Sequence, residues 1–118
     1  MSEEKFIEIC KKHGLEQLTE EEAGKQIIGG KHFVCFSLPE DHHRVIAQLN
    51  TNCNQIKLKN AIEIYTNGAI DTGVSSLYFN SEDDYPEFEN NLELYLKLMK
   101  FIKKDIKKFQ IESICKDV

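Results

Sequence analysis

The chain has 118 residues and a mass of 13.7 kDa, the size of one domain. With 41% hydrophobic and 30% charged side chains, it can bury about two-thirds of its unfolded surface, which excludes disordered, collagen-like and mucin-like classes. The net charge is −5, and no apolar run is long enough to span a membrane.

The predicted elements begin with a helix over residues 3–13. Ser2 suits its N-cap, Glu3 and Glu4 its positive end, Phe6, Ile7 and Cys10 its apolar face, and Gly14 the position just past its end. This start is acidic and helical, unlike a basic and then apolar leader, so the expected location is cytoplasmic. Thr19 and Glu22 form a capping-box pattern, but Gly24 and the Gly29-Gly30 pair follow so soon that only a short helical turn over 19–24 is predicted.

After Gly30 the period changes. His32 to Leu38 carries β-formers on both faces and stops at Pro39, the pattern of a buried strand. Arg44 to Leu49 fits either a helical turn or a strand returning from a loop at 39–43, and strand is the preferred reading. In residues 55–65, Ile56, Leu58, Ile62 and Ile64 alternate with polar positions, as in a strand with one wet face. Thr66-Asn67-Gly68 signals a hairpin turn, and Ala69 to Phe79 makes the returning strand, bulged or bent at Gly73.

The final element is a helix over 86–109. Asp84 or Tyr85 caps it, Pro86 sits in its first turn, and Phe88, Leu92, Tyr95, Met99, Ile102, Ile106 and Phe109 step by four and three. Leu94, Leu98 and Phe101 widen that stripe, which favours covering a sheet over a narrow coiled-coil seam. Early glutamates (Glu87, Glu89, Glu93) and later lysines from Lys97 to Lys108 complement the helix dipole. The predicted fold is α+β in a single domain, 1–118: an N-terminal helix, an antiparallel sheet of about four strands, and a long C-terminal helix packed on one sheet face.

The sequence offers little chemistry. Cys10, Cys35, Cys53 and Cys115 show no Cys-x-x-Cys spacing and are expected to be four free thiols. His42 and His43 beside Glu40 and Asp41, and His32 near Cys35, are metal-ligand types, but adjacent histidines do not share an ion and a strand turns positions 32 and 35 to opposite faces. Cys35 with His42 or His43 is a catalytic pair only on paper, because an apolar strand disfavours the thiolate. Gly29-Gly30-Lys31 lacks the spacing of a phosphate loop, and Asp71 with Glu82, Asp83 and Asp84 lacks that of a calcium loop. No catalytic residue, metal or cofactor is expected.

What remains is an interaction surface. Between Lys59 and Lys97 there is no basic residue, and Glu63, Asp71, Glu82, Asp83, Asp84, Glu87, Glu89 and Glu93 fall there. Such a field repels phosphate backbones and favours a basic partner, so nucleic acid is not expected despite the C-terminal lysines, which carry neither Arg nor interleaved aromatics. Asp71, Glu82, Asp83, Asp84, Tyr85, Glu87 and Glu89 form the predicted partner-binding face, with Tyr85 as an apolar anchor among steering charges. The competing reading is a solubilising acidic cap in which Tyr85 and Phe88 staple the helix start.

In composition and layout, being short, acidic, rich in Asn, Lys, Glu and Ile, and without a catalytic constellation, the chain resembles the small immunity proteins that bacteria keep against their own nuclease or pore-forming toxins. The resemblance implies a non-enzymatic inhibitor, a monomer or weak dimer, that occludes a basic active site; no residue motif carries it. A secretion chaperone of the type III kind, binding an effector segment on an apolar face, is the first alternative, and a small ligand carrier or enzyme with an enclosed pocket is the second.

Overall fold

Ser2 starts the first helix as the sequence requires, its hydroxyl accepting from the Lys5 amide at 3.3 Å. The computed structural model describes residues 2–27, 32–67, 70–71 and 75–116, and of these all side chains except those of 63–64, 70–71 and 105–116. Helix α1 spans Glu3–Lys12 and ends at Gly14, whose φ of 82° suits glycine. The Gly14 amide donates to Lys11 and the Leu15 amide to Cys10, both at 3.0 Å, which closes the helix in a Schellman turn.

A two-residue strand β1 (Glu16–Gln17) leads to helix α2 (Glu20–Gln26). The capping box is made both ways, the Glu22 amide donating to Thr19 Oγ1 at 3.2 Å and the Thr19 amide to Glu22 Oε1 at 3.1 Å. With two orphan donors satisfied and Ala23 buried, the helix runs through Gly24 and is longer than the predicted turn. The Gly29-Gly30 segment lies outside the described residues.

Strands β2 (Phe33–Leu38), β3 (Asp41–Asn50) and β4 (Gln55–Lys59) follow, so the ambiguous segment around Arg44 to Leu49 is a strand. Short strands β5 (Glu63–Ile64) and β6 (Ile70–Asp71) pair with each other, and β7 (Ser76–Phe79) returns alongside β4. The main sheet is antiparallel with order β1-β2-β3-β4-β7, five strands rather than about four, because β1 is too short to show a sequence period. The alternation read across 55–65 breaks after Lys59, and its second half continues into the small β5-β6 sheet. Gly68 and Gly73 lie outside the described residues. A β-bulge occurs elsewhere: Phe36 faces Ala47 but Ser37 faces Val45, leaving Ile46 as the extra residue.

Alternation along β2 divides the core in two. Val34 and Phe36 join Phe6, Ile56, Leu58, Phe79, Phe88 and Leu92 under α1 and the long C-terminal helix α3 (Tyr85–Lys116), while Cys35 joins Leu18, Ala23 and Val45 under α2. Phe6 contacts Phe36 and Phe88 at ring-centroid distances of 5.6 and 5.7 Å, so the Phe6 ring of α1 touches both the sheet and α3. Along α3, Phe88, Leu92, Tyr95 and Met99 are buried and Ile102 is half-buried; the side chains of Ile106 and Phe109 lie outside the described residues. Leu94, Leu98 and Phe101 do not widen the buried stripe, being 64%, 43% and 63% exposed. At about 100° per residue they lie roughly a third of a turn from the buried row, farther round than one sheet face reaches.

Candidate functional site

The acidic segment is built by a local cap. A 3-10 turn at Glu82–Asp84 precedes α3, and Ser81 is the N-cap of that turn: Ser81 Oγ accepts from the Asp83 amide at 3.3 Å. Asp84 Oδ2 accepts from the amides of Asn80 and Ser81 at 3.3 and 3.2 Å, completing the reciprocal box. The acidic run therefore terminates a helix as well as charging a surface.

The predicted face separates into residues with structural partners and residues without. Glu82, Asp83 and Glu87 are exposed, and among the described residues none makes an ion pair. Asp84 is held in the cap. Glu89 Oε1 takes Lys12 Nζ at 2.7 Å and lies 3.0 Å from His13 Nε2, and these two contacts, Lys12 first, hold its carboxyl below the ordinary range. Asp71 lies in β6, which pairs with β5 in the small sheet, and its side chain is outside the described residues.

Tyr85 corrects the expectation of an aromatic anchor. It is 1% exposed, its ring stands 6.5 Å from that of Phe88, and its hydroxyl donates to the Ser2 carbonyl. An amphipathic ring beginning a core-facing helix goes inward where its hydroxyl finds an acceptor, and here the cap of α1 supplies one. The consequence is a contact that no sequence signal announced: the start of α1 lies against the start of α3. The exposed Glu3 and Glu4 follow Ser2 in the chain and the exposed Glu82, Asp83 and Glu87 flank Tyr85, so these carboxylates belong to the two helix starts that the bond joins. Lys5 is the cation in this neighbourhood, with Nζ 4.9 Å from the Tyr85 ring centroid.

Beside this end runs an open groove of about 280 Å³ between α1 and α3, lined by Lys5, Glu8, Ile9, Lys12, Tyr85, Pro86 and Glu89. A second polar cluster centres on His42. Its Nδ1 lies 2.9 Å from Glu22 Oε2 and its Nε2 2.9 Å from Glu16 Oε2, while its carbonyl accepts from Gln26 Nε2. The two carboxylates, Glu22 first, raise the imidazole pKa. The cluster ties β1 and α2 to β3, a role the sequence reading did not give to His42.

Burial pushes the Cys35 thiol up to about 11 and the Cys10 thiol higher, while Cys53 is exposed. Among the described residues no group of three His, Cys, Asp or Glu side chains is placed to hold a metal ion, and no helix is long and apolar enough to cross a membrane. No family model matches the chain, and no curated protein or solved structure matches it.

Proposed function

We propose that the chain is a protein-binding module that docks its acidic end onto a basic partner, acting as an immunity or antitoxin type of inhibitor by occlusion. The observation that supports this reading is the bond from Tyr85 to Ser2, which gathers the exposed carboxylates of Glu3, Glu4, Glu82, Asp83 and Glu87 on two rigid helix starts. Carboxylates on a fixed frame present a preformed negative field, which steers a cationic surface and loses little entropy on contact. Occlusion of a nuclease follows naturally, because such a site is already shaped to receive a row of negative charges.

The test is affinity capture from the source cell with the parent chain and with the Glu82→Lys, Asp83→Lys, Glu87→Lys variant. The reading expects the parent to hold a basic protein that the variant releases, and expects added parent chain to suppress that protein's activity. Equal capture by both chains contradicts it. A secretion chaperone is the second reading, favoured by the exposed row Leu94, Leu98 and Phe101, to which an apolar segment of another protein would bind.

A further inference from the structure

His42 is held from two sides, its Nδ1 2.9 Å from Glu22 Oε2 on α2 and its Nε2 2.9 Å from Glu16 Oε2 on β1. A carboxylate oxygen only accepts, so a ring bonded to both must donate from both nitrogens, which is the charged, doubly protonated form. The neutral ring has one N–H, and its bare nitrogen would face a carboxylate lone pair across the same 2.9 Å. Among the described residues Glu16 and Glu22 are the charged groups that reach the ring. Strand β2 carries no charged side chain, Asp41 pairs with Arg44 at 3.1 Å, Glu21 with Lys25 at 3.7 Å and Glu40 with Lys103 at 3.6 Å. His43, the next residue along β3, alternates to the other face of the strand.

What these two bonds fasten is a lid. Residues 16–26, β1 and α2, lie on the sheet face opposite α1 and α3, where Leu18 and Ala23 cover Cys35 and Val45. The lid's other fastenings are few: Glu16 and Gln17 pair with Ser37 and Phe36, the Leu18 amide donates to the Cys35 carbonyl at 2.9 Å, and Gln26 Nε2 donates to the His42 carbonyl at 2.6 Å. A segment with a small apolar patch and few bonds opens at a lower free energy than the whole fold, so loss of one ion-pair contact is felt there first. We propose that His42 is a pH-sensitive latch on this lid, closed while both ring nitrogens carry protons and released when one proton leaves, so that rising pH opens residues 16–26 and bares Cys35 and Val45. The imidazole is 33% exposed, so its proton leaves without prior unfolding. Its two carboxylates, Glu22 first, hold that proton above the ordinary imidazole value of about 6.5, which places release on the alkaline side of it. The latch stands whether or not the acidic-end reading does.

Two buried thiols serve as probes, Cys35 under the lid and Cys10 in the main core. Their labelling by methyl methanethiosulfonate is followed by peptide mass from about pH 5.5 to about pH 8.5, each rate divided by that of the urea-unfolded chain at the same pH, which removes the thiols' own titration. In the parent, Cys35 is expected to label through a small opening, with a shallower dependence on added urea than Cys10, and its protection is expected to fall about tenfold across that range. His42→Gln, which like the neutral ring donates to one carboxylate and carries no charge, is expected to show the parent's alkaline level of protection at every pH. Glu16→Gln, whose amide can donate to the bare ring nitrogen, is expected to lose most of the pH dependence. If Cys35 and Cys10 label together with one urea dependence, or if either variant keeps the parent's response to pH, the proposal is overturned.

Discussion

The Tyr85 hydroxyl donates to the Ser2 carbonyl across 83 residues of sequence, and through that bond the cap of one helix becomes a support for the start of another. Tyr85 is therefore a structural residue of the acidic end, not its contact residue. Tyr85→Phe keeps the ring in the core and removes only the bond, for an expected loss of about 1 kcal/mol and a fall in Tm of about 4 °C. Tyr85→Ala also empties the ring's volume and is expected to cost about 3–5 kcal/mol. Thermal unfolding of both variants checks the assignment, and a Tyr85→Ala chain as stable as the parent contradicts it.

Met99 and Leu98 are neighbours in sequence with opposite fates, 3% and 43% exposed. Met99→Asp places an unpaired charge under the sheet and is expected to cost about 3 kcal/mol or more. Leu98→Asp is expected to stay within about 0.5 kcal/mol of the parent. Urea unfolding of the pair tests which row of α3 is the core.

His42 makes stability depend on pH. Its folded pKa is raised by Glu22 and then Glu16, so its contribution is complete below the ordinary imidazole value of about 6.5 and is lost as pH rises through the folded value. Glu22 is lowered, first by the Thr19 amide and then by His42, so its contribution is present above the ordinary carboxyl value of about 4.3 and is lost as pH falls through the folded value. The stability gap between the parent and His42→Gln is thus expected to be widest between about pH 4.5 and 6.5 and to close in alkali. A gap that is flat with pH, followed by urea titration at each pH, contradicts the ion-pair account.

Cysteine accessibility gives an independent check on the two cores. In the native chain Cys53 is expected to alkylate first, while Cys10 and Cys35, buried and with raised pKa values, react only as the protein opens. Peptide mass mapping after brief labelling shows the order, and titration of the denatured, unreduced chain is expected to count four thiols.

The elements were legible where local rules act alone. Ser2, Gly14, the Thr19-Glu22 box and the spacing of Phe88, Leu92, Tyr95 and Met99 each specify structure within one or two turns, and all formed. The break after Lys59 and the strand β1 were not legible, because each depends on which neighbour offers a ladder. The candidate site divides in the same way. That the 80–89 segment is acidic and caps a helix can be read from its residues. That Glu89 has partners, that Tyr85 faces inward, and that Glu3 and Glu4 join the surface depend on contacts between α1 and α3, which periodicity cannot encode. The same holds for His42, whose partners come from β1 and α2.

The most direct test of the acidic end is its association rate with the captured basic partner, followed by stopped-flow for the parent and the Glu82→Lys, Asp83→Lys, Glu87→Lys variant. Asp84 is left unchanged, because reversing it would remove the cap along with the charge. The account predicts an association rate lower by an order of magnitude or more in the variant at unchanged Tm, and a similar fall for the parent when salt is raised from about 50 to about 500 mM. A variant that associates at the parental rate, with the parent indifferent to salt, would contradict it.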